Sequence, residues 1–538
     1  MAPRADHLVL HETDEADNHT AVFIYSEPSD SSKPSSARVD ISPTFKPPSS
    51  WSKDGLIALL CDVFLPSGFP DSVTTDYLPY QIYDSLQAFC SSIAGLLSSR
   101  AVLQGIGVGN VDASPTNALL LHILQDISGR IATILFAHRV GTALEPECKT
   151  YRLAADVFND IAMIMDCLSP MVPAGTMRVS VLSTAGVLRA LCGVAAGSSK
   201  ASLSAHFAKW GNLAELNAKD SSQETIISLV GMLVGSVIIS HITGFMMTWA
   251  ALLFLLASHL SLNYAAVRSV EMTSLNRQRA SMVFSSIIES DNYSTKKKVT
   301  NLPIPTPAQI ALDERILAKW SPFFWSSQQH RERQSLGTAE MGVSLAEFFA
   351  RSHEVVISNA GSDKDKANAI TATTTNNNPS RAFHTSLPLK SLKTLFEKEE
   401  YLLYLTPQSQ SKSQPSKWHA SILLTPSATT KTQLKAWCHA LIVARALIEP
   451  EPTPTRTRTQ SPDPTTEIKE STNHENATNL NPNTNPDTVF EYISETLMKL
   501  NEDGRFEGYL SALQGRGWDV DVSALEVRAG RRVLIEVS

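Results

Sequence analysis

Charged side chains interrupt apolar runs at a few places in the first half of this chain. Asp126 and Arg130 lie in "LQDISGRIATILF", Asp156 and Asp160 in "RLAADVFNDIAMIM", and Arg189 in "AGVLRALCGVAAG". Asp126 and Arg130 are one helical turn apart, as are Arg152 and Asp156, so each couple can pair within its own helix. In lipid a lone charge costs at least about 2.5–3.5 kcal/mol, so such groups are expected to face inward and find partners. Three readings suit them: charges that pin helices together, a pathway for a substrate or proton, or solvated faces. A second group, Lys219, Asp220, Ser221, Ser222 and Glu224, sits in "NAKDSSQET". Ser221 with Glu224 three residues on spells a capping box, so this stretch reads as a helix start. The same helix start, with Lys219 beside it, could instead hold an anion such as a phosphate.

Other chemistry finds no support. No Gly-x-Ser-x-Gly, HExxH or Walker pattern occurs, and "GIGVGN" at 105–110 is not a dinucleotide fingerprint. His122, His138, His206, His241 and His259 are dispersed singly, and the six cysteines show no metal-ligand spacing. A pyridoxal phosphate lysine would need a phosphate cup, and none of Lys200, Lys209 and Lys219 stands out. The reading is therefore of a non-enzyme with no catalytic residue, metal or cofactor. Forty-six basic against 53 acidic residues give a net charge of -7, which does not favour nucleic acid.

The elements that must position these charges are long apolar helices. The pattern predicts five segments near 80–109, 115–142, 148–170, 176–209 and 221–268, with Pro115, Pro170 and Pro173 at boundaries. Between Glu224 and Arg268 no Asp, Glu, Lys or Arg occurs. That run is long enough to cross a hydrocarbon core of about 30 Å twice, with its break at "SHITG". Lys209, Lys219, Arg268, Arg277 and Arg279 flank it and mark that side as cytosolic or equivalent. Gly193, Gly197, Ala201 and Ala205 recur every four residues, and Gly231 and Gly235 form a second such pair. Small faces of this kind predict close helix packing. The N-terminus, with one Arg and five acidic residues in its first twenty, lacks the features of a cleavable signal.

Composition divides the chain further. Residues 1–50 read as mostly loose with one strand at "TAVFIY", and 51–290 as a helical membrane domain. Residues 291–448 read as a linker and small α+β module, with strands at "EYLLYLTP" and "WHASILLTP" and a helix through "TTKTQLKAWCHALIVARAL". The stretches 360–386, 407–417 and 449–486 are low in complexity and read as disordered. Residues 487–538 complete the module with a helix near Val489–Leu500, a second short helix and a strand at "RRVLIEV". The fold class is thus mainly α: a multi-helix membrane bundle followed by a small α+β module with disordered insertions.

Several long motifs, in order, resemble the root UVB sensitive family (the DUF647 domain). They are "DVFLPSGFPDSVTTDYLPYQIYDSLQAFCSSIAGLLSSRAVLQGIGVG", "GRIATILFAHRVGT", "RLAADVFNDIAM", "NAKDSSQET" and "LNRQRASMVF". The resemblance is dense over residues 55–290 and looser beyond. It implies a eukaryotic membrane-associated protein linked to light-dependent development and vitamin B6 homeostasis, with no established molecular activity to carry over. More weakly, "DISGR" and "RALCG" followed by "AAG" are similar to motifs of major facilitator transporters, which implies a bundle like one half of that fold. Two functions follow as expectations. One is a carrier-like protein for a small molecule connected with vitamin B6; the other is a membrane-bound scaffold recruiting partners through its C-terminal module. The partners expected are the lipid bilayer and a second copy or related family member.

Overall fold

The computed structural model describes residues 7–13, 19–26, 38–43, 53–105, 115–291, 302–317, 323–327, 333–351, 387–408, 417–449 and 486–534. The chain divides into two compact units, Met1–Glu271 and Met272–Ser538. The expected low-complexity stretches fall almost wholly outside the described residues.

The first unit opens with an antiparallel meander, β1 (His7–Thr13), β2 (His19–Ser26) and β3 (Arg38–Pro43). The "TAVFIY" strand is the centre of that sheet. Its two neighbours correct the expectation of a mostly loose segment: cross-strand pairing supplies order that the Ser/Pro/Asp content conceals. Helix α1 (Lys53–Phe64) follows. The bundle itself is α2 (Tyr77–Gly105), α3 (Pro115–Val140), α4 (Cys148–Leu168), α5 (Thr176–Phe207), α6 (Leu213–His241) and α7 (Phe245–Ser269). Helix α2 packs against α4, α6 and α7, while α5 packs against α3 and α4. An apolar layer of Ala94, Leu97, Met163, Cys167, Ile242, Leu252 and Leu256 fills the junction of α2, α4 and α7.

Five helices, through Tyr77–Gly105, Leu119–Ala143, Thr176–Phe207, Leu213–His241 and Phe245–Ser269, are long and apolar enough to cross a membrane. The predicted break in the charge-free run falls at Ile242–Gly244, where the chain is extended. There the Arg100 guanidinium donates to the carbonyls of Ile242 (2.7 Å) and Ile239 (3.3 Å), satisfying acceptors that the end of α6 leaves open.

Two expectations fail in this unit. The capping box is not a helix start: α6 begins at Leu213, two turns before Ser221, after an Asn212 whose side chain makes no capping bond. The segment "LAELNAK" consists largely of good helix formers, and the helix simply runs through Ser221. The glycine stripe of α5 is also misassigned. A Cβ at Gly193 or Gly197 would meet nothing within 4 Å. The close contacts are elsewhere. A Cβ on Gly231 would lie 2.8 Å from Ser92 Cβ, and one on Gly235 2.9 Å from Leu96, so this pair is what lets α6 approach α2. Gly129 and Gly186 similarly bring α3 and α5 together.

The second unit is built on a three-stranded sheet in the order β7–β9–β8, comprising β7 (Gly337–Met341), β8 (Tyr401–Gln408) and β9 (Lys417–Leu424). β9 runs parallel to β7 and antiparallel to β8. The near-continuous apolar strands predicted for β8 and β9 are buried throughout most of their length. The helix Thr430–Ile448 starts at a Thr429–Thr432 capping box and covers the sheet. Of its predicted apolar face, Leu434, Trp437, Cys438 and Leu441 are buried and Ile442 partly so. It also packs against α8 (Arg277–Ser290) and against the helix Pro486–Asn501, the one expected near Val489–Leu500. The short helix is Arg505–Gln514. The "RRVLIEV" strand reduces to one bridge, Arg532 to Leu424, with residues 535–538 outside the described set. β4 (Ser274–Asn276) pairs in parallel with β10 (Asp519–Ala524), and β5 (Phe324–Ser326) pairs antiparallel with β6 (Arg333–Ser335). Arg277 and Arg279, read from sequence as membrane-flanking charges, are taken up in this unit. Arg277 lies over the Trp437 ring, and Arg279 pairs with buried Glu314 at 2.7 Å.

Two histidines of this unit are buried and form no ion pair with a carboxylate among the described residues. His439 bonds Tyr401 Oη (2.9 Å) and Thr496 Oγ1 (2.9 Å), and burial pushes its pKa down to about 3. His419, buried beside the Arg351 guanidinium, is pushed down to about 4.

Candidate functional site: a buried charge ladder

The bundle gathers ionisable groups where α2, α4 and α7 meet. Arg152, buried on α4, donates Nη2 to Asp84 of α2 at 2.7 Å and Nη1 to Asp156 one turn along its own helix at 3.2 Å. Its Nε reaches Tyr80 Oη at 3.4 Å. From Asp156 the ladder continues to α7. Asn263 donates Nδ2 to Asp156, and His259, one turn away, lies 3.6 Å from Asp156 and 2.8 Å from Asp160. Asp156 and Asp160 on one helix therefore face Asn263 and His259 on the other as two rungs. All of these side chains are buried.

Acids exceed bases in this ladder. Three carboxylates, Asp84, Asp156 and Asp160, face one guanidinium and one imidazole. One carboxylate oxygen, Asp160 Oδ2, and the amide oxygens of Asn263 and Gln87 are buried without a hydrogen-bond partner among the described residues. A buried acceptor left unpaired is costly, and each such group calls for an explanation. The arrangement can hold a proton between His259 and Asp160, and it can take up a further donor at the orphaned oxygens. Among the described residues no group of three His, Cys, Asp or Glu side chains is placed to hold a metal ion.

The sequence candidates are thus only partly brought together. Asp156 and Asp160 lie at the centre of the ladder, and the expected Arg152–Asp156 pair forms. Arg189 is elsewhere, paired with Asp166 and reaching Ser98, the latter two buried between α4 and α2. Asp126 and Arg130 do form the expected pair at 2.9 Å, but on an exposed part of α3, and they line no centre. "DISGR" lies within α3 and not in a loop, so the transporter loop motif does not hold for it.

The "AKDSSQET" group belongs to a third cluster. Asp220 is buried, accepts from Gln81 Nε2 at 2.6 Å and pairs with Lys200 at 2.8 Å, which also binds Glu224 at 2.7 Å. Lys219 donates to the Asp62 carbonyl, Ser221 is exposed and Ser222 half-buried. A buried carboxylate at its middle makes this segment a brace between α2, α5 and α6, with no helix N-terminus to receive an anion.

Sequence reasoning missed Tyr80, Asp84, His259, Asn263 and Asp166. One signal was present: His259 and Asn263 are the i, i+4 complement of Asp156 and Asp160, and both interrupt an otherwise uncharged apolar run.

Five helices long and apolar enough to span a bilayer, packed around buried ion pairs, give the first unit the character of a helical membrane-associated protein. Residues 50–291 match the profile of the vitamin B6 photo-protection and homoeostasis domain. The chain is 42% identical over 267 residues to "RUS family member 1" of Dictyostelium discoideum, covering 49% of this chain and 48% of that protein. It is 37% identical over 240 residues to "Protein root UVB sensitive 3" of Arabidopsis thaliana, covering 44% and 54% respectively. Against "Protein root UVB sensitive 2, chloroplastic" of the same plant, identity is 25% over 258 residues. Over residues 50–291 the chain is similar to the root UVB sensitive proteins. The matches span about half the length of these curated relatives. No solved structure gives a significant match.

Proposed function

We propose that this protein is a carrier-like membrane protein that handles a small molecule connected with vitamin B6 homeostasis. The observation that carries the reading is the surplus of acid in the ladder, with acceptor oxygens of Asp160 and Asn263 buried and unpaired. A purely structural ladder would close its hydrogen bonds, because half-satisfied networks weaken a bundle. One that must accept a proton or a ligand donor in part of its cycle leaves acceptors waiting, and intramembrane ionisable groups commonly mark such pathways. His259 and Asp160 would hold the proton, while Arg152 fixes Asp84 and Asp156 in place. The family domain supplies the vitamin B6 connection.

The test is a thermal-shift panel of B6 vitamers on detergent-purified protein, followed by vesicle uptake of any vitamer that stabilises it. We expect stabilisation of the wild type that is lost in Asp160→Asn, with the variant's own melting temperature retained. No stabilisation and no uptake across the panel would overturn the carrier reading and leave the scaffold, in which the second unit recruits protein partners.

A further inference from the structure

Helix α3 carries a charged pair where a membrane-spanning helix should have none exposed. Asp126 lies eleven residues after Pro115 and Arg130 ten before Val140. At 1.5 Å per residue each is roughly 15 Å from the nearer helix end, the middle of a hydrocarbon core about 30 Å thick. Their side chains are nevertheless 55% and 76% exposed respectively. The chief packing partner of α3 is α5, met through Gly129 and Gly186, and that contact leaves both charges uncovered. Glu224, also exposed, is tied through Lys200 to buried Asp220, and the Asp166–Arg189 pair has a buried carboxylate.

The spacing around this pair is informative. Leu119, Ile123, Asp126 and Arg130 follow one another at intervals of four, three and four residues, the a/d rhythm of a helix–helix seam. Leu119 and Ile123 are 57% and 43% exposed. An apolar seam interrupted by polar residues at its a and d positions sets register and partner number more than it adds strength. The seam carries one acid and one base a single layer apart. Neighbouring copies in a membrane share an insertion direction, so two α3 helices related by a two-fold axis along the membrane normal run parallel. Asp126 of each then comes within reach of Arg130 of the other, closing a four-membered ring of alternating charge. The face is complementary to itself, and an identical face is the simplest cover for it.

We propose that the α3 seam Leu119–Ile123–Asp126–Arg130 is the interface through which two copies of this chain dimerise in the membrane. The proposal is independent of what the bundle carries, and its test needs no ligand.

Full-length protein is reconstituted in lipid nanodiscs loaded at low protein-to-disc ratio, and copies per disc are counted by single-molecule photobleaching. The wild type is expected to be dimeric. Asp126→Arg and Arg130→Asp, each presenting two like charges, are expected to be monomeric when prepared alone. Mixed one to one before reconstitution, they are expected to restore pairing to at least half the wild-type fraction. The double exchange Asp126→Arg/Arg130→Asp is expected to pair like wild type. A monomeric wild type, or single variants that pair as well as wild type, would overturn the proposal. Should the charge variants fail to fold, the wild-type background still decides. Ile123→Cys should cross-link between copies in native membranes under mild oxidation, while Leu120→Cys, off the seam, should not; equal cross-linking at both would refute the seam.

Discussion

Replacing Arg152 by Met is the sharpest probe of the ladder, because it removes one charge that two buried carboxylates share. In the folded protein Arg152 makes hydrogen bonds of 2.7 Å to Asp84, 3.2 Å to Asp156 and 3.4 Å to Tyr80. All three groups are buried, so solvent cannot take over its role. Breaking a buried pair by removing one partner costs about 3–5 kcal/mol, chiefly because the other charge is left uncompensated. That is roughly two to four orders of magnitude in the folding equilibrium. The triple variant Asp84→Asn/Arg152→Met/Asp156→Asn removes the stranded charges as well. Neutralising a whole buried network is often close to neutral, so it should recover most of the loss. The assay is unfolding from mixed micelles on titration with SDS, followed by tryptophan fluorescence. An Arg152→Met variant within about 1 kcal/mol of wild type, or a triple variant no better than the single one, would refute the ladder as the organising contact of the bundle.

Other expectations follow from the same geometry. Gly231→Ala should destabilise by about 1–3 kcal/mol, since its Cβ would meet Ser92 Cβ at 2.8 Å, whereas Gly193→Ala should be tolerated; melting temperatures of the two variants decide. Ser221→Ala, exposed within α6, should change stability by no more than about 0.5 kcal/mol, and a loss of 1–2 kcal/mol would reinstate a capping role. In the second unit His439 stays neutral in the folded state while the unfolded chain takes up a proton near pH 6.5. Its contribution is therefore intact above pH 6.5 and falls as pH drops toward about 3. Between pH 6.5 and 5 the loss should be about 2 kcal/mol, read as a falling midpoint of urea unfolding monitored through the buried Trp418 and Trp437. A midpoint unchanged over that range would contradict it.

Much of the fold was legible because its determinants are local. Proline positions, the uncharged run and the period of Leu434, Trp437 and Leu441 located the helices to within a few residues, except the start of α6, which lies eight residues earlier. The site was harder. Pairing of Asp126 with Arg130 and of Arg152 with Asp156 is a property of one helix, and both pairs form. The partners on other helices, Asp84, Asn263 and His259, depend on how α2, α4 and α7 are stacked, which spacing along one segment does not encode. Ser221 and Glu224 matched a local pattern, yet the preceding "LAELNAK" favours helix strongly enough to carry α6 past them. Small-residue stripes show the same limit. Gly231 and Gly235 meet α2 while Gly193 and Gly197 meet nothing, although both stripes have the same spacing.

The boundary of the family domain has a consequence for how this protein can be divided. The family profile runs to residue 291, but the second compact unit begins at Met272. The last stretch of the inherited domain, Met272–Asp291, thus contributes Leu275, Val283, Phe284 and Ile287 to a core completed by residues 200 positions later. Cutting the gene at the domain's edge would strip those four side chains of their cover and leave a sticky apolar helix on the product. The C-terminal region is therefore no removable appendage.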